Sequence, residues 1–236
     1  MKKPLIGIVS KNITCDDFFN WQWQRISEHI RYSLIKNGAS VIGILPQCNS
    51  SDFNRKDESE LKNMSASEKS MLNDIINNCD GIILQGGISS HYYEEYIAKY
   101  CYEKNIPLLG ICAGFNNIIR ALGGTTKKLD NDDHDRPDLQ YSHDCIITDK
   151  NSLYYSIVKS DKFMVNSVHS YIADIVPSVL SIIAKSDDNQ VEVIESKNKT
   201  FFMGVKYHPE LLVDIDEKQN NIFKTFVKKC KSKGGK

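Results

Sequence analysis

The segment that most limits what this chain can become is Gly110-Ile111-Cys112-Ala113-Gly114. An apolar run, Ile106-Pro107-Leu108-Leu109, leads into it, and a helical pattern over residues 115–122 leads out. A strand must therefore reverse into a helix within five residues. Glycines stand two positions to either side of the cysteine. A side chain at either place would clash with the incoming strand or the outgoing helix, and glycine tolerates the dihedrals of so sharp a turn. Cys112 occupies the apex, in the arrangement of a nucleophile elbow with sulfur in place of a hydroxyl. The helix that starts there aims free N–H groups and the positive end of its dipole at the sulfur, which favours thiolate over thiol. Most cysteines are inert core residues, so the elbow gains meaning only if a base and an oxyanion site lie elsewhere in the chain.

The first half repeats the strand-helix alternation. Residues 5–10 read as a buried strand, and Trp23, Ile26, Ile30 and Leu34 fall at helical spacing before the stop Asn37-Gly38. Residues 41–45 form a second strand, 48–65 a polar excursion, and Met71, Leu72, Ile75 and Ile76 a second helical stripe. Residues 81–84 form a third strand ending in Gln85-Gly86-Gly87, followed by a helix carrying Tyr96, Ile97, Tyr100 and Cys101. Strands alternating with helices of this length imply a mostly parallel sheet flanked by helices. Residues 125–141 are polar, with Asp130, Asp132, Asp133, Asp135 and Asp138, and read as a long solvated loop of the kind that often forms a lid. Short strand-like runs follow at 145–148, 163–165, 180–184, 191–196 and 201–207, the last two as a hairpin, so a small extra β-element is expected in the second half. A final helix carries Ile222, Phe223, Phe226, Val227 and Cys230. With no repeat or interior linker, one α/β domain is expected over 1–236, its core at 4–230 and its tail, 231–236, flexible.

Charge narrows the function classes. Thirty basic residues balance thirty acidic ones, so no global field draws the protein to nucleic acid or to a membrane surface, and neither is expected as a partner. The seven cysteines form no CxxC pair, and Met1-Lys2-Lys3-Pro4 runs directly into a strand without an export signal. A reduced, cytoplasmic protein is expected. Cysteines and histidines show no zinc spacing, so neither metal nor organic cofactor is expected.

His208, in Val205-Lys206-Tyr207-His208-Pro209-Glu210, follows a strand, where α/β sheets place their chemistry. Glu210, two residues on, can accept the imidazole N–H and fix the tautomer. Gly86 and Gly87 also follow a strand and can let backbone N–H groups approach a ligand, completing an oxyanion site with the N–H of Ala113.

Strand-Gln-Gly-Gly, Gly-Ile-Cys-Ala-Gly and Tyr-His-Pro-Glu in this order resemble the class I glutamine amidotransferase domain. The opening Lys3-Pro4-Leu5-Ile6-Gly7-Ile8, Ala121-Leu122-Gly123-Gly124-Thr125 and Val165-Asn166-Ser167-Val168-His169-Ser170 are similar, more narrowly, to its γ-glutamyl hydrolase branch of peptidase C26 type. That branch includes the γ-glutamyl-γ-aminobutyrate hydrolases. The likeness spans residues 4–212. It implies a flavodoxin-like fold, Cys112 as nucleophile, His208 as base, Glu210 as its orienter, and backbone donors at Gly86, Gly87 and Ala113. It places Ser167 and His169 beside the substrate. The chain departs from the family at Phe115-Asn116, where relatives usually carry Met-Gln, and at 88–94, where they carry an acidic run; both segments, Asn116 included, should line the glutamyl pocket. The activity implied is hydrolysis of a γ-glutamyl amide through a glutamyl thioester, releasing glutamate and an amine. The alternatives are a glutaminase handing ammonia to a separate synthetase partner, and a silent binding module. A homo-oligomer is compatible with either. The stretch Tyr92-Tyr93-Glu94-Glu95-Tyr96 and the acidic loop are expected to shape the amine side.

Overall fold

The computed structural model of the chain describes residues 2–14, 21–48, 64–87, 92–131 and 133–231. The chain runs β1 (Leu5–Val9), β2 (Lys11–Thr14), β3 (Gln22–Arg25), α1 (Glu28–Lys36), β4 (Ser40–Ile44), α2 (Ala66–Asn77), β5 (Gly81–Leu84), α3 (Tyr92–Lys104), β6 (Leu108–Ile111) and α4 (Ala113–Ala121). It continues through β7 (Thr125–Lys128), β8 (His143–Ile147), α5 (Leu153–Val158), β9 (Lys162–Val165), β10 (Tyr171–Ile175), β11 (Ser181–Ser186), β12 (Val191–Glu195), β13 (Phe202–Val205) and α6 (Glu217–Lys231).

Nine strands form one sheet in the order β4-β1-β5-β6-β13-β12-β11-β8-β9. The first five are parallel and the rest extend the sheet antiparallel. The alternation of strand side chains sorts the core into two layers. Ile6, Ile8, Ile83, Leu109, Ile111, Met203 and Val205 face α1, α5 and α6. Val9, Ile82, Leu84, Leu108 and Phe202 face α2, α3 and α4. Because both of their faces are covered, β1, β5, β6 and β13 carry apolar residues at nearly every position, and that is why they are legible as strands. The parallel direction also brings the carboxyl ends of β1, β5, β6 and β13 to one edge, where ligands bind in open α/β sheets. The extra β-element expected in the second half is an extension of this sheet.

Three local expectations need correction. Trp23 and Ile26 do not share a helix with Ile30 and Leu34, because β3 pairs antiparallel with β2 and the helix begins only at Glu28. The apparent periodicity crosses a strand-helix boundary, with Trp23 half exposed and Ile26 packed on the core from the connecting segment. The polar stretch at 125–141 opens as β7, paired with β10. Its middle is pinned by a backbone bridge between Asp135 and Val168. The helix α5, capped by Ser152, has no counterpart in the sequence reading. Residues 49–63 of the polar excursion at 48–65, 88–91 of the family departure at 88–94, and 232–236 of the tail at 231–236 lie outside the described residues. Among the described residues no helix is long and apolar enough to cross a membrane.

Candidate active site

The strand β6 delivers Cys112 with φ 52° and ψ −101°, a conformation L side chains rarely adopt. The surroundings hold it there. A Cβ on Gly114 would lie 2.1 Å from the Leu84 carbonyl oxygen, and one on Gly110 would lie 2.6 Å from the Gly114 carbonyl oxygen. The Cys112 N–H donates to Val205 O at 2.9 Å, which ties the elbow to β13. Strain that packing maintains at one residue is a mark of functional sites.

His208 leaves the end of β13 and enters a short 3-10 turn, Pro209–Leu211, that carries Glu210 beneath it. Its Nδ1 bonds Glu210 Oε1 at 2.8 Å, so Nδ1 holds the proton and Nε2 is left for the thiol. Asn166 grips the same residue from the other side. Its Nδ2 donates to His208 O at 2.9 Å, and its Oδ1 accepts from His208 N–H at 2.8 Å. Sequence reasoning singles out Ser167 and His169 in this segment and passes over Asn166, whose role is to fix the backbone of His208. A Cβ on Gly86 would lie 2.7 Å from His208 Cε1 and 3.4 Å from Cys112 Cβ, so the absence of a side chain there admits the imidazole beside the sulfur.

Burial would push the Cys112 thiol up. The His208 charge, its hydrogen bond and the charge of Lys206 outweigh burial and bring the thiol down to about 7. Burial likewise opposes the charge on His208, but Glu210 and Cys112 raise its imidazole well above its ordinary value. Near neutral pH the pair is therefore poised as thiolate and imidazolium. His169 is in the opposite situation: burial holds its imidazole well below the ordinary value, which leaves it neutral.

These groups face a cavity of about 890 Å³, whose wall includes Gly86, Gly87, Cys112, Ala113, Asn116, His169, His208 and Glu210. Ala113 is the first residue of α4, so its N–H has no partner within the helix. Lys206, also unremarked in the sequence, lines the cavity while almost wholly buried, and donates from Nζ to Asn116 Oδ1 at 2.9 Å. Burial lowers its ammonium from the usual value. The signal was available as a single charge inside Phe201-Phe202-Met203-Gly204-Val205-Lys206-Tyr207. Ser167 is not at the cavity wall. It is fully buried and donates its hydroxyl to His134 O at 2.7 Å, which holds it behind the wall that carries His169. The tyrosine-rich start of α3 is likewise elsewhere, with Tyr92 and Tyr96 lining a separate cleft. The acidic loop does reach the rim, through Asp135 and the preceding Lys128.

Residues 89–210, just over half of the chain, match the peptidase C26 family. The chain belongs to that family. Among curated relatives of this C26 protein, the glutamine-hydrolyzing GMP synthase subunit of Picrophilus torridus is 32% identical over 67% of the chain and 80% of its own length. The gamma-glutamyl-gamma-aminobutyrate hydrolase PuuD of Escherichia coli K12 is 28% identical over 69% of the chain and 76% of its own length. The GMP synthase of Thermosipho melanesiensis is 30% identical over 64% of the chain, and the match spans only 28% of that longer protein. The glutaminase domain of Trypanosoma brucei CTPS, solved with acivicin bound, superposes with a TM-score of 0.65 at 18% identity, covering 97% of the chain and 94% of that domain. Family membership and the hydrolase relatives support an enzyme acting on amide bonds.

The electrostatics make a prediction that needs no substrate. The rate of alkylation of Cys112 by the neutral reagent iodoacetamide is expected to rise through pH about 7. Cys79, pushed up to about 11 by burial, and Cys145, raised well above the usual thiol value, should stay unmodified. Peptide mapping after a brief exposure at several pH values reads this directly. An inflection for Cys112 at or above 9.0, the ordinary thiol value, would refute the ion pair.

Proposed function

We infer that the chain hydrolyses the amide bond of a γ-glutamyl amine through a glutamyl thioester on Cys112, releasing glutamate and the amine. The observation that carries this is the strained elbow cysteine, whose thiol is brought to about 7 beside an imidazole held by Glu210. In this mechanism the Cys112 thiolate attacks the γ-carbonyl carbon. The oxyanion forms among the N–H groups of Gly86, Gly87 and Ala113, a kind of stabilisation whose removal costs about 3 kcal/mol per donor in other enzymes. The carbon-nitrogen bond breaks as imidazolium His208 gives its Nε2 proton to the departing amine. His208, now neutral, takes a proton from water. The resulting hydroxide adds to the thioester carbon, glutamate leaves, and the sulfur returns as thiolate. Arg25 and Lys128 on the cavity wall suit the α-carboxylate of the glutamyl group, and Glu28 and Asp135 suit ammonium groups.

A second reading has its own support. The relatives named as GMP synthase subunits suggest a glutaminase whose ammonia passes to a separate synthetase. A panel of γ-glutamyl amines alongside glutamine, scored by kcat/KM on the isolated chain, separates the two. The first reading expects the amines to be preferred over glutamine by about tenfold or more, since a pocket built for the leaving group's body gains about 1–3 kcal/mol from burying it. Preference for glutamine, rising when a synthetase is added, would establish the second reading. If neither substrate turned over while Cys112 alkylated normally, both would fall.

A further inference from the structure

Behind the wall that carries His169, four side chains from four separate segments converge. His134 comes from the acidic loop, His143 from β8, His169 from the segment before β10, and Glu192 from β12. All are buried, and one potential ligand atom from each lies within 4.8 Å of all the others. The sequence offered no hint, because positions 134, 143, 169 and 192 follow no ligand spacing.

The hydrogen bonds around the group decide what it can be. His143 Nδ1 lies 3.1 Å from the Asp144 carbonyl oxygen, to which only a protonated nitrogen can bond, so its Nε2 lone pair points inward. His134 Nε2 pairs with Asp188 Oδ2 at 3.0 Å, which leaves Nδ1 as the inward lone pair. Ser167 Oγ is 3.4 Å from that Nδ1, but its single proton is committed to His134 O at 2.7 Å. His143 Nε2, both ring nitrogens of His169 and both oxygens of Glu192 are buried without a hydrogen-bond partner. The contacts between them, 3.7 Å from His143 Nε2 and 4.0 Å from His169 Nε2 to Glu192 Oε1, are too long for hydrogen bonds. Five orphaned polar atoms gathered in one buried spot are costly to leave unmade, and a cation would satisfy them together.

We propose that His134, His143, His169 and Glu192 form a tetrahedral site for a divalent transition cation of the zinc class. Three imidazoles and a carboxylate are a donor set zinc accepts. An ion about 2.1 Å from each donor sets neighbouring donors about 3.4 Å apart. The His143-Glu192 contact is already within a few tenths of an ångström of that. The supporting shell is in place as well: Asp188 and the Asp144 carbonyl orient two of the rings, the pattern in which ligand histidines give their second nitrogen to an oxygen acceptor. Two positive charges against Glu192 and Asp188 leave the site neutral. With all four positions supplied by protein, the ion is structural. It staples the acidic loop to the sheet and fixes the Val168 carbonyl, whose oxygen lies 3.7 Å from Cys112 Sγ.

The test is metal content, which is independent of any reaction. Untagged chain grown with zinc and passed through a gel-filtration column should carry about one ion per chain by plasma mass spectrometry. Cys112→Ala should carry the same amount, so the ion does not depend on the proposed hydrolysis. His143→Ala combined with Glu192→Ala should lose at least about tenfold in content. If that variant fails to fold, titration of the chelator-stripped wild-type chain decides. Cobalt(II) should then give the intense visible absorption of tetrahedral coordination, and saturating zinc should raise the melting midpoint by about 5 °C or more. Background metal in the wild type, together with neither cobalt absorption nor a thermal shift, would overturn the site.

Discussion

Replacing Cys112 by alanine is expected to lower kcat/KM on the best γ-glutamyl amide by about 10⁴-fold or more, because among the described residues no other group is placed to accept the acyl unit. Other candidates among the described residues fail for physical reasons. The Lys206 ammonium is engaged by Asn116, and the described buried thiols Cys79 and Cys145 are pushed up in pKa, away from thiolate. The fold should survive, since alanine suffers at φ 52° the same crowding that cysteine already tolerates. A companion variant tests the strain itself. In ordinary backbone, glycine is less stable than alanine by about 1 kcal/mol. At φ 52°, ψ −101° the order should vanish or reverse, because this is the mirror image of extended backbone and glycine adopts it freely. Thermal denaturation of Cys112→Gly against Cys112→Ala reads the difference. Full activity in the alanine variant would end the thioester account. A glycine variant melting well below the alanine one would show that the elbow is not strained.

How much of this was legible in the sequence depended on what each residue's role requires. The parallel strands announced themselves because burial on both faces forces apolar residues at successive positions, as in Leu108-Leu109 and Phe202-Met203. The ribbons β2-β3 and β7-β10 did not. Lys11-Asn12-Ile13-Thr14 and Thr125-Thr126-Lys127-Lys128 are polar, and what pairs them is the meeting of distant segments rather than a burial pattern. Helical spacing misleads at Trp23 and Ile26 for a related reason: periodicity records which residues are apolar, not where the backbone changes state.

The candidate site divides along the same line. Cys112, His208 and Gly86-Gly87 each stand just past the end of a buried strand, so a local pattern of glycines or proline marks them. The structure brings them together around one cavity. Lys206 and Asn166 escape notice because their meaning lies in partners far along the chain: Asn116 is 90 residues from Lys206, and His208 is 42 from Asn166. Ser167 reads as a cavity residue because a motif fixes order but not facing, and its facing is set by a partner 33 residues away, His134.

Exchange of His208 for asparagine is the sharpest test of the pairing, because it should damage catalysis through two effects that can be separated. A general base ordinarily contributes about 10²–10⁴-fold. Without the imidazolium, burial also dominates at Cys112, and its thiol should rise from about 7 to above its ordinary value of 9.0. At pH 7 the thiolate fraction then falls from about half to about one in a hundred or less. Together the losses predict a fall in kcat/KM of about 10⁴–10⁶-fold at neutral pH. Raising the pH recovers only the thiolate share, so activity should climb by no more than about a hundredfold toward pH 9 and remain far below wild type. Asparagine can still donate to Glu210, which keeps that buried carboxylate partnered. Glu210→Gln should be milder, and combining it with His208→Asn should cost almost nothing further, because Glu210 acts on the sulfur chiefly through the imidazole it holds. If the two losses multiplied instead, Glu210 would act independently of His208. If His208→Asn left the iodoacetamide profile of Cys112 unchanged, the thiol would owe its acidity to something other than the ring beside it.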